Sequence, residues 1–190
     1  MCKTSQFDNT LFVIGDPNWP MPAYSKIIAD DLMQLLPGIK FDQLYDLYPD
    51  LDIDPGAEQK KLMSASTIIL QCPTYCYSLP SLIISWVEEV LDTDWARGGN
   101  TRPLAGKKVL VSTTASAPSQ VFDNGAMKKA FAKMAESLND VFEDCDLEYL
   151  GCVFTGGLIN TGTRKPDPDG LEQAHLHATK VADKVKANLG

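Results

Sequence analysis

Residues 67–91 read TIILQCPTYCYSLPSLIISWVEEVL. The run 67–70 is β-branched or aliphatic and of a length that suits a buried strand. Beyond it, Leu82, Ile83, Trp86, Val87, Val90 and Leu91 recur at three and four residues, the stripe of an amphipathic helix, and Pro80 stands where a helix start tolerates proline. A strand, a loop rich in proline and tyrosine, and a helix make one β-loop-α unit. Such units assemble into parallel sheets covered on both faces.

The same alternation extends to both sides. Apolar runs at 11–14, 39–44, 109–111 and 147–154 supply four more candidate strands. Ile27, Ile28, Leu32, Leu35 and Leu36 form a helical stripe that stops at Pro37-Gly38. A further helix is expected over 126–142, with Met127, Ala130, Phe131, Met134, Leu138 and Phe142 inward. A long last helix carries Leu171, Ala174, Ala178, Val181, Val185 and Leu189. Stretches 15–22, 48–56, 93–106, 115–125 and 156–169 are polar or broken by Pro and Gly and read as loops. With right-handed crossovers this count predicts an α/β, flavodoxin-like three-layer sandwich, its five-stranded parallel sheet in the order 2-1-3-4-5. Ligands of such sheets bind beyond the carboxyl ends of the strands, which selects the loops after strands one, three and four.

The 190 residues suit a single flavodoxin-like domain spanning 1–190. A formal net charge of −8, with no local Lys/Arg cluster, disfavours nucleic acid and anionic membrane surfaces. The polar start and the lack of a long apolar run lead us to expect a cytoplasmic protein. Cys2, Cys72, Cys76, Cys145 and Cys152 are odd in number and lack a CxxC pair, as expected of reduced thiols with no metal. Cys72 and Cys76 bracket a loop and read as small packing residues rather than a redox pair. The two imidazoles, His175 and His177, fall on opposite flanks of the last helical stripe. They read as surface or boundary residues, and no nucleophile motif accompanies them.

The first loop, 15–26, reads GDPNWPMPAYSK and leads into a helix N-terminus, where Asn18, Tyr24, Ser25 and Lys26 could hold a phosphate. Pro17, Pro20 and Pro22 remove donors, and Asp16 opposes an anion unless it points away, so a rigid structural loop is the other reading. In the loop after strand three, Pro73, Thr74, Tyr75, Cys76 and Tyr77 suit stacking on a flat heterocycle or packing against a neighbouring loop or subunit. After strand four, Thr113, Thr114, Ala115 and Ser116 let a backbone come close to cofactor carbonyls and ring nitrogens.

The segment 44–54, LYDLYPDLDID, followed by Ala57-Glu58-Gln59, resembles the "LYxLYPDFxID…AEQ" motif of FMN-dependent NAD(P)H:quinone oxidoreductases. The resemblance continues through Gln71-Cys72-Pro73, Tyr77-Ser78-Leu79-Pro80 and Trp86, through Trp95, Gly98, Gly99, Leu104, Gly106 and Lys107, and into Thr113-Thr114. It covers roughly residues 12–154. The family resemblance implies FMN as cofactor, NAD(P)H as co-substrate, a small-molecule electron acceptor and a homodimer with sites near the subunit interface. Bacterial members include ancillary subunits of glutathione-gated potassium efflux systems, which implies a membrane-transporter partner. Departures fall at the cofactor: Asp16, Ala23 and Lys26 replace the family's His, Ser and Asn at the FMN phosphate. Ala115-Ser116 replaces a Gly-Gly, Cys76 a ring-lining Trp, and Met127 falls near the family's acid-base His. Two functions follow: a reductase passing hydride from NAD(P)H through flavin to a quinone-like acceptor, or a flavin-free regulatory or binding subunit of the same fold.

Overall fold

A computed structural model describes residues 5–19, 24–98, 101–123, 125–159 and 166–189. Five strands, β1 (Thr10–Ile14), β2 (Lys40–Gln43), β3 (Thr67–Pro73), β4 (Lys108–Thr114) and β5 (Glu148–Thr155), pair in parallel in the order β2-β1-β3-β4-β5. This is the expected flavodoxin-like sheet.

Each strand alternates its side chains between two apolar layers. Leu11, Val13, Ile68, Leu70, Val109 and Val111 face α3 (Pro55–Ser64), α4 (Ser81–Val90) and α5 (Gly125–Asp144), where Leu62, Trp86 and Phe142 complete one core. Phe12, Ile14, Ile69 and Leu110 face α1 (Tyr24–Leu35) and α6 (Pro168–Ala187), where Ile28, Leu32, Ala174, Ala178 and Val181 complete the other. Each fully buried Leu, Ile or Val contributes about 1.5–3 kcal/mol, so the two layers together dominate the fold's stability.

The strand ends are stepped. Ile14, the last residue of β1, pairs with Gln43 on one side and Gln71 on the other. Strands β3, β4 and β5 run on to the row Pro73, Thr114 and Thr155. The chain leaving β1 therefore turns away below the rim of its neighbours, and a recess opens where the strand order reverses.

Three local readings change. Strand β2 ends at Gln43 rather than Leu44, because the Gln43 side chain accepts from the Asp46 N–H at 3.1 Å and starts a one-turn helix, α2 (Leu44–Leu47). Helix α3 went unread because one of its two buried positions is a glutamate, Glu58, beside Leu62, which hides the apolar period. Its start does carry the usual signals: Asp54 accepts from Ala57 N–H at 3.0 Å and Pro55 opens the first turn. In α5, Leu138 and Phe142 are buried, whereas Met127, Ala130, Phe131 and Met134 are only half-covered. Among the described residues no helix is long and apolar enough to cross a membrane.

Candidate functional site

The recess brings together the loops after β1, β3 and β4. A narrow part of ≈ 50 Å³ is lined by Asp16, Asn18, Tyr24, Ser25 and residues 73–75 and 114–116. It continues into a wider part of ≈ 410 Å³ lined by Thr74, Tyr75, Cys76, Tyr77, Ala115, Ser116, Ala117, Phe122 and Met127. The wider part has the size of ordinary small-molecule sites.

Its wall is a tight reversal. Tyr75 N–H donates to Ser78 O at 2.9 Å and Ser78 N–H to Tyr75 O at 2.8 Å, so Cys76 and Tyr77 are the two central residues of a hairpin turn. Both carry positive φ, 48° and 65°, the left-handed conformation that such turns demand and that side chains other than Gly, Asn and Asp resist. Strain of this kind persists where surrounding structure imposes it, and the result here is a projecting pair of aromatic rings. Tyr77 keeps 55% of its surface exposed and Tyr75 keeps 39%.

Small residues form the opposite wall. Ala115 N–H donates to Thr155 O and Leu158 N–H to Ala115 O, both at 3.0 Å, which fixes the backbone at the sheet rim. Gly156 is needed here, because a Cβ on it would lie 2.6 Å from Ala117 O and 2.7 Å from Ser119 N. Thr113 does not enter the recess. It is fully buried and its hydroxyl lies 2.9 Å from that of Thr74, pinning β4 to the Tyr75 loop.

The narrow end has a different chemistry. Asp16 is 3% exposed and does not point away. Its Oδ1 accepts from Asn18 N–H at 2.9 Å and from Asn18 Nδ2 at 3.3 Å, and its Oδ2 accepts from the Ser25 hydroxyl at 2.5 Å. Asn18 Nδ2 also donates to Tyr75 OH at 2.6 Å and so ties the first loop to the aromatic hairpin. Tyr24 OH donates to Asp167 Oδ2 at 2.7 Å, and burial with that carboxylate pushes its hydroxyl up to about 12. Lys26 stands outside, paired with Asp30 one turn on and 5.9 Å from the Trp19 ring. Of the residues read as phosphate ligands, Asn18, Tyr24 and Ser25 line the narrow end and Lys26 does not. All four already meet a carboxylate of the chain.

Beneath the floor runs a polar chain that the sequence reading missed. His177 is fully buried, not a boundary residue, while His175 is exposed and pairs with Asp31. His177 Nε2 lies 2.7 Å from Ser112 Oγ and its Nδ1 lies 2.9 Å from Thr155 Oγ1. Ser112 donates to Gln71 Oε1, so its oxygen accepts from His177 Nε2–H, and Nδ1 accepts from Thr155. One neutral tautomer satisfies every contact, and burial, with Lys180 adding to it, holds the imidazole down at about 4. The clue was available: His177 lies three residues after Ala174 and four before Val181, in the buried stripe of α6. Among the described residues, no group of His, Cys, Asp and Glu is placed to hold a metal ion.

The wider end fits a flat aromatic heterocycle, with exposed tyrosine rings on one side and small residues on the other. Residues 20–23 of the first loop, Ala23 among them, lie outside the described residues; the described residues of the narrow end do not fit a phosphate monoester, since their side-chain donors already meet carboxylates. A second negative charge about 4 Å from Asp16 would cost about 4 kcal/mol at the effective dielectric of a protein surface.

A family model described as flavodoxin-like fold matches residues 9–181. The glutathione-regulated potassium-efflux system ancillary protein KefF of Enterobacter sp. (strain 638) is 36% identical over 140 residues, 74% of this chain and 78% of that protein. Among solved structures, general stress protein 14 of Treponema denticola, in complex with FMN, superposes with a TM-score of 0.80 at 23% identity, covering 96% of this chain and 99% of that one. A protein of P. pentosaceus described as an NADPH-quinone reductase gives a TM-score of 0.74 at 19% identity, covering 92% and 97%.

Proposed function

Because this chain belongs to the flavodoxin-like family, as its motifs implied, we propose that its recess binds the isoalloxazine ring of a flavin and that the protein is an NAD(P)H oxidoreductase acting on a quinone-like acceptor. In this reading residues 1–190 work as one domain. The observation that carries it is the ≈ 410 Å³ cleft between Tyr75, Tyr77 and the 115–117 backbone, at the point where the strand order reverses. A bound flavin supplies the two-electron chemistry; the protein binds, orients and shields it. The Cys76-Tyr77 turn presents the aromatic faces, Asn18 holds Tyr75 in place, and Ala115, Ser116 and Ala117 keep the opposite wall low enough for a ring to lie against backbone.

The relatives' description as potassium-efflux ancillary proteins supports a membrane-transporter partner for this chain. An apolar groove of ≈ 520 Å³ between α4 and α5, lined by Ile84, Met134 and Leu138, supports a homodimer. Tyr77 borders both groove and cleft, which would put the flavin site beside the subunit interface.

The reading is tested with lumiflavin, the isoalloxazine ring without a sugar chain. Quenched fluorescence and a shifted visible spectrum on binding, weakened at least fivefold in Tyr75→Ala, support it; NAD(P)H oxidation with quinones then follows. No binding by the native chain sinks it. A second reading, a flavin-free regulatory or binding subunit, is favoured by one observation, the Asp16 carboxylate at the narrow end.

A further inference from the structure

Asp16 places a buried carboxylate at the narrow end of the cleft. A free helix N-terminus after a strand is an anion site because its N–H and hydroxyl donors lack partners. In this chain, among the described residues, the side-chain donors there are spoken for: the Ser25 hydroxyl goes to Asp16, which also takes the Asn18 N–H, and the Tyr24 hydroxyl goes to Asp167. Lys26, the one cation read into the site, lies outside it and neutralises Asp30. Among the described residues a carboxylate of the protein stands at the place of the anion, in a part of the recess of ≈ 50 Å³.

We infer that the cleft takes an unphosphorylated ring ligand, a riboflavin-class isoalloxazine with a neutral hydroxylated chain, and discriminates against the phosphate monoester. This inference rests on the ring-binding reading above. Asp16 lines the narrow part, where its acceptor oxygens suit the hydroxyls of a polyol and repel a dianion. The discrimination is built from a repulsive element, one of the two ways to separate ligands that share every other contact.

The test compares riboflavin with FMN by fluorescence titration, in the native chain and in Asp16→Asn, which keeps the shape and removes the charge. Riboflavin should bind the native chain at least tenfold more tightly than FMN, and in Asp16→Asn the gap should shrink at least fivefold through a gain in FMN affinity. The native comparison needs no variant and stands if Asp16→Asn folds poorly, which a thermal melt reports. Equal or tighter FMN binding by the native chain overturns the inference while lumiflavin binding keeps the ring reading standing. A gap that persists unchanged in folded Asp16→Asn overturns Asp16 as its cause. If lumiflavin, riboflavin and FMN all fail to bind, the ring reading falls and takes the inference with it.

Discussion

Trp86 Nε1 donates to Glu58 Oε2 at 2.9 Å, joining two residues that lie 28 positions apart in sequence. Tyr48 OH donates to the other oxygen at 2.7 Å, and Lys61 Nζ does so at 2.6 Å. Lys61 also reaches Asp42 at 2.7 Å, which links β2 to α3. Burial works against ionising Glu58, yet Lys61 and Trp86 hold its carboxyl below the usual range. Tyr48, Glu58 and Trp86 all belong to the motifs that resemble quinone oxidoreductases, and here they knit the helical layer rather than touch the cleft.

Removing that carboxylate strands the buried Trp86 N–H and takes the acceptor from the half-buried Tyr48 hydroxyl, while Lys61 keeps Asp42. Glu58→Leu should lower the unfolding free energy by about 3–5 kcal/mol, the usual cost of breaking a buried charged network from one side. Urea denaturation at neutral pH checks it. A loss under about 1 kcal/mol would show that the network is incidental.

His177 sets an acid limit on stability. Its folded value, about 4, lies below the ordinary 6.5, so at pH 7 both folded and unfolded chains carry it neutral. As pH falls through 6.5 the unfolded chain takes up the proton first, and stability drains away until about pH 4. At 1.36 kcal/mol per unit this amounts to roughly 3 kcal/mol. Asp42 works in the opposite sense: burial pushes it up to about 6, with Lys61 opposing and Glu58 adding to the rise. Its contribution is therefore lost as pH rises through that value. Comparing the native chain with His177→Gln cancels the Asp42 effect. Their stability difference should shrink by roughly 3 kcal/mol between pH 7 and pH 4; a difference constant with pH would rule the account out.

Alkylation should read the cleft from outside. Cys76 is the exposed thiol among the described cysteines, whereas Cys72 and Cys145 are buried and burial pushes the Cys152 thiol up to about 12. Iodoacetamide followed by mass spectrometry should label Cys76 at least tenfold faster than Cys72, Cys145 or Cys152. A ring ligand in the cleft should slow that labelling. Unchanged Cys76 labelling at a saturating concentration of bound lumiflavin would place the ligand elsewhere.

Gly15 sits where α4 meets the first loop. A Cβ there would lie 2.2 Å from Ile83 Cγ1, so Gly15→Ala must displace the buried Ile83 side chain or the loop itself. The expected cost is about 1–3 kcal/mol of stability, measured in urea. Because the same loop positions Asp16, the riboflavin-to-FMN affinity ratio should change in this variant too. Full stability with an unchanged ratio would mean that the loop has slack that the packing does not show.

Local pattern alone determined the layered α/β fold, because strand and helix periods are written in neighbouring residues and each element must bury its apolar side. The order of the sheet followed from handedness. Sequence also selected the loops at the strand ends, and Asn18, Tyr24, Ser25, residues 73–77 and 114–116 do meet there. Partnership was not legible. Whether Asp16 points into the recess, whether Lys26 reaches it, and whether His177 lies inside depend on contacts between residues 9, 4 and 65 positions apart. The Asp16–Ser25 and Ser112–His177 contacts exist only once the strands are in register, whereas Lys26 is drawn to Asp30 within α1 itself. A carboxylate beside a serine has no fixed meaning along a chain; the packed loop makes Asp16 the partner of Ser25 and thereby sets the charge that a ligand meets.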